Sequence, residues 1–189
     1  LLSFGVTNTH DYATKAILAK SSQWKDFKEG IAYIWSTPAV LAIMALAVIT
    51  NLTAFPIIRG LLPYVAKEVY LITEIGLGHM IATFSFGAMI GSTIIAVAGA
   101  RTHSTKFMLS NILLWYVMLA VFAAMGDKFN GLISLFVMGI VHALGMVSMS
   151  VILVGQLEKH MRGRVIGVRI LAIYGVPIGL MGTSYFINV

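Results

Sequence analysis

Cysteine is absent from the 189 residues, which removes disulfides, thiolate catalysis and cysteine-based metal sites from consideration. Charge is scarce as well: Asp, Glu, Lys and Arg make up 11% of the chain, and only seven residues are acidic. None of the seven lies in the central part of a long apolar run, so this segment supplies no intramembrane carboxylate for carrying protons and no buried carboxylate pair for acid/base work. No His-x-x-x-His spacing accompanies its five histidines. These absences argue against an enzyme and imply neither a metal nor a cofactor.

What is present is apolar length. Five stretches, residues 38–58, 75–100, 107–126, 129–157 and 170–189, run without a single Asp, Glu, Lys or Arg. A helix rises about 1.5 Å per residue, so about 20 apolar residues cross the roughly 30 Å hydrocarbon core of a bilayer. Buried helices of a soluble protein keep a polar face, whereas this chain is 59% hydrophobic. The expectation is an all-α, polytopic membrane helix bundle with five spans, about 38–62, 75–100, 107–126, 131–155 and 166–188.

Basic residues alternate between the gaps. Lys15, Lys20, Lys25 and Lys28 precede the first span, Arg101 and Lys106 follow the second, and Lys159, Arg162, Arg164 and Arg169 surround the start of the fifth. The other gaps hold Arg59, Lys67 and Lys128, partly offset by Glu68, Glu74 and Asp127. Lys and Arg favour the cytoplasmic side, so the amino end is expected inside and the carboxyl end outside. The net charge of +6 then faces anionic headgroups, and a nucleic-acid partner is not needed to explain it.

Residues 1–22 read as the end of a preceding helix followed by a cytoplasmic linker, without the charged region of a signal peptide. Within 23–37, Trp24, Phe27, Ile31, Ile34 and Trp35 recur at helical spacing, with Ser21 or Ser22 placed to cap the start. This pattern predicts an interfacial amphipathic helix or an extension of the first span, leading through Pro38 into the bundle of 38–189.

Several short signals occur together: Leu61-Leu62-Pro63-Tyr64-Val65-Ala66, the glycines 76, 78, 87 and 91, and Arg162-Gly163-Arg164-Val165-Ile166-Gly167. With the amphipathic lead-in and the Pro38 start, they resemble the carboxyl-terminal half of a major facilitator superfamily transporter, in the branch of enterobactin and drug exporters. The resemblance covers roughly residues 23–187. It implies helices seven to eleven of twelve, an amino-terminal half of the same protein as partner, and a bacterial inner-membrane location. Arg101, Arg162, Gly163, Arg164 and Gly167 would then be loop residues that move with the transport cycle. Ala100 stands where the family's basic loop carries Asp, so a charge relay in that loop is not expected.

Polar side chains at membrane depth are costly and tend to face a partner or a cavity. Asn51 and His142 each lie near the middle of a span, and in the resemblance their two helices line the substrate cavity. Asn51 is a candidate hydrogen-bonding group. His142 is a candidate ligand contact or proton acceptor, since imidazole titrates near neutral pH, and equally a histidine satisfied by a neighbouring carbonyl. Met138, Met146 and Met149 share its helix face and suit either varied amphiphilic ligands or gap-filling. The pairs Gly87/Gly91 and Gly175/Gly179 open grooves for close helix approach. These readings predict a secondary active transporter exporting small organic molecules; an intramembrane enzyme using His142 as acid or base is the alternative.

Overall fold

A computed structural model describes residues 24–99 and 104–173. Every regular element in them is helical: α1 over 24–36, α2 Pro38–Leu52, α3 Ala54–Tyr64, a π-helical turn Val65–Val69, α4 Glu74–Ala98, α5 Thr105–Ala124, α6 Lys128–Gln156 and α7 Arg162–Ile173. Four helical units are long and apolar enough to cross a membrane, the first being the continuous Pro38–Val69. Of the expected fifth span the structure describes α7 as far as Ile173. Its remainder, with Gly175 and Gly179, lies outside the described residues, as do Arg101 and the two candidate capping serines.

Helix ends follow local chemistry. Pro38 occupies the first position of α2, where its missing N–H interrupts no bond. The Asp127 carboxylate caps α6 by accepting from the Asn130 amide at 3.0 Å. Gly99 closes α4 at φ +57°, a conformation that a side chain would strain. Residues 38–62, read as one span, lie within the single helical unit Pro38–Val69, which is locally irregular at Thr53. Thr53 has φ −112° and ψ −71°, and Pro56 has no N–H to return to the Leu52 carbonyl one turn earlier.

The chain runs up and down, so the starts of α2, α5 and α7 and the ends of α4 and α6 share one end of the bundle. The opposite end is tied by Tyr70, whose hydroxyl donates to the Met125 carbonyl at 3.1 Å. Burial and the nearby Asp127 carboxylate push this phenol above its ordinary pKa of 10.0, which keeps it a donor.

Each end has its own core. Ile34, Val40, Met108, Leu153 and Val165 close one, and Leu62, Met80, Phe122 and Leu135 the other. The most extensive contact joins α4 to α6. A Cβ added at Gly87 or Gly91 would run into the carbonyl of Phe136 or Ile140, and one at Gly139 into that of Phe84. The two backbones therefore touch directly, and α6, buried on several sides, forms the centre.

Candidate functional site

Three side chains turn back on the helix at the α2–α3 break. Thr50 Oγ1 donates to the Leu46 carbonyl at 2.6 Å, Asn51 Nδ2 to Ala47 at 2.8 Å and Thr53 Oγ1 to Ile49 at 2.8 Å. Such back-bonding widens a helix turn and favours a bend, which the missing Pro56 donor reinforces. Asn51 is buried beside the break. Thirteen residues of rise from Pro38 place it about 20 Å from the helix ends, and fourteen from Gln156 place His142 at about the same depth.

A row of polar and aromatic groups crosses the bundle near this depth. Thr53 Oγ1 and the Tyr116 hydroxyl share a 2.7 Å hydrogen bond. The Tyr116 ring lies 5.9 Å from Trp115, Trp115 lies 4.6 Å from the His142 imidazole, and His142 lies 5.4 Å from Phe84. The row thus starts at the break, passes along α5, enters α6 and ends on α4. Tilted ring pairs at these separations are favourable beyond their buried area.

The methionines on the His142 face have different surroundings. Met138 and Met149 are fully buried, one in each core, and Met146 packs against the core that holds Met149. A cavity of about 390 Å³ opens between α2, α5 and α6, lined by Ala42, Leu46, Met108 and Ile152 with Gln156 at its margin.

A separate constellation joins α1 to α7. Arg164 Nε donates to Asp26 Oδ1 at 2.8 Å, and its Nη1 forms an ion pair with Glu29 Oε2 at 2.7 Å. Beneath the charges, Gly30 brings α1 against the Arg164 carbonyl and Val168. The buried side of α1 is accordingly Gly30 and Ile34, while Trp24 and Trp35, expected on the apolar face, remain exposed. The carboxylates turn toward Arg164 and rotate the helix away from its most aromatic side. Gly163 and Gly167 line an open cleft of about 370 Å³ with Trp24, Phe27 and Arg164.

Sequence reasoning singled out Asn51, His142 and Arg164, and Thr53 and Tyr116 were visible only as polar side chains at membrane depth. Trp115, which carries no motif, was missed. The pairing of Asp26 and Glu29 with Arg164 is not visible locally, because the partner lies 138 residues away from Asp26 in the chain. Comparison with protein-family models, curated proteins and solved structures found no match to this chain.

Proposed function

We propose that this chain belongs to the second half of a secondary active transporter of the major facilitator type, working in the bacterial inner membrane with its amino end cytoplasmic. It exports small organic molecules by alternating access of two helical halves about a midplane site. The observation that carries this reading is the irregular helix turn at Thr53, joined through Tyr116 and Trp115 to His142. Interrupted helices with polar groups at midplane depth are where transporters place substrates. The Arg164 clamp supports it, because half-exposed ion pairs between two elements at one end of a bundle can open and close at low cost.

The test is flux by the full-length protein in proteoliposomes carrying an imposed proton gradient. His142→Ala and Pro56→Ala, the first removing the imidazole and the second restoring the helix donor, are expected to lower the rate about 10-fold. Gradient-independent turnover of a lipid or peptide without flux would replace this reading with that of an intramembrane enzyme.

A further inference from the structure

Arg162 and Arg169 are seven residues apart on α7, close to two full helical turns, so their side chains leave the helix on one side. Arg164 leaves on another, where two carboxylates neutralise it. Among the described residues the same-side pair has no such compensation. Arg169 is half-buried and donates from Nη2 to the Ser150 hydroxyl on α6 at 3.0 Å. That hydroxyl donates in turn to the Met146 carbonyl at 2.9 Å, which leaves its lone pairs turned to the guanidinium. Arg162 Nε is enclosed and has no hydrogen-bond partner among the described residues. None of the ion pairs among those residues includes Arg162 or Arg169.

Depth makes this arrangement costly. Ser150 lies six residues before the end of α6 and Arg169 seven after the start of α7, so both are about 10 Å in from the helix ends. A guanidinium has five N–H donors in a planar fork that matches an oxyanion, and Ser150 accepts only one of them. A cation held at this depth beside a hydroxyl, with no carboxylate on it among the described residues, is poised for an anion that arrives from outside them.

We propose that the Arg162–Arg169 face of α7 is an oxyanion site. An amphiphilic anion with a carboxylate, sulfonate or phosphate head meets Arg162 first and seats its oxygens on the free donors of Arg169. Ser150 is a positioning residue that holds the guanidinium toward α6. The identity of this anion as cargo rests on the transporter reading, whereas the binding itself does not require transport.

The test uses the full-length protein in nanodiscs of phosphatidylcholine, with protein-free discs subtracted. Anilinonaphthalene sulfonate is the anionic probe and phenylnaphthylamine, the same ring system without the sulfonate, the neutral one. Arg169→Gln is expected to weaken saturable sulfonate binding about 10-fold and to leave the neutral probe unchanged, since hydrogen bonds to charged groups are the strong ones. Ser150→Ala and Arg162→Gln are expected to weaken it about 3-fold each.

Adding phosphatidylglycerol separates the two sources of the oxyanion. Competition seen in the wild type but not in Arg169→Gln assigns the site to a lipid headgroup, and no competition assigns it to a solute. Equal sulfonate affinity in the wild type and a folded Arg169→Gln overturns the proposal. If that variant does not fold, unchanged affinity in both Ser150→Ala and Arg162→Gln overturns it equally. Intact wild-type binding without gradient-driven flux would instead overturn the transporter reading and leave the site standing.

Discussion

The seam between α4 and α6 and the contact between α1 and α7 both bring two helices together, by opposite means. At the seam, Gly87, Gly91 and Gly139 remove side chains so that backbone meets backbone. At the α1–α7 contact, one glycine allows the approach, but Arg164, Asp26 and Glu29 hold it through long side chains, each about a third or more exposed. The seam has no soft coordinate, because a carbonyl cannot yield to a Cβ. The clamp is soft, because charges near water exchange partners easily and are screened by salt. One contact resists separation by backbone sterics and the other is held by exposed charges.

The largest expected effect is at the seam. Gly139→Leu would drive its side chain into the Phe84 carbonyl and should cost about 3 kcal/mol, read as loss of the cooperative thermal transition in detergent. A variant with unchanged stability would mean that the seam yields and that the comparison fails.

Next comes the clamp. Arg164→Glu places three carboxylates together and should separate α1 from α7, at about 1 kcal/mol. Since the chain has no cysteine, a cysteine pair introduced on α1 and α7 reports the separation by crosslinking without background. Asp26→Lys combined with Glu29→Lys should restore the crosslink in Arg164→Glu, and added salt should weaken it in the wild type.

A tie of intermediate kind sharpens the contrast at the other end. Tyr70→Phe removes the bond to Met125 and should cost about 1 kcal/mol at neutral pH. The folded state holds the phenol above its ordinary pKa, so it favours the protonated form. The stability this provides is full below pH 10.0 and is lost as the pH rises further; Tyr70→Phe should remove that alkaline loss from the melting profile.

The smallest effect is expected at Lys25, which is 79% exposed and 4.0 Å from Glu29. Lys25→Ala should shift stability by less than about 0.5 kcal/mol. A larger loss would show that Glu29 depends on Lys25 and not on Arg164 alone.

Much of the fold was legible because a bilayer demands length and apolarity, and both are visible in the chain. Helix positions for α4, α5 and α6 follow from the charge-free runs. The break at Thr53 was not read from the run 38–58, because hydropathy is blind to a missing donor; Pro56 and the Thr50–Thr53 polar cluster were the available signals. Asn51 and His142 were singled out by depth alone. That His142 lies between Trp115 and Phe84 depends on which faces of α4, α5 and α6 meet, and no local pattern states that.

The sequence by itself determined the helical class and the positions of the long apolar helices, four of which lie among the described residues. Those properties depend on each segment's transfer from water to an apolar phase, which is additive along the chain. Only the tertiary structure decided which arginine on α7 is neutralised and which is not. Arg164 and Arg169 are the same residue type five positions apart, but helical geometry turns them toward different neighbours. Carboxylates wait on one side and a single hydroxyl on the other. Charge compensation is a property of pairs, and pairs exist only once the chain has folded.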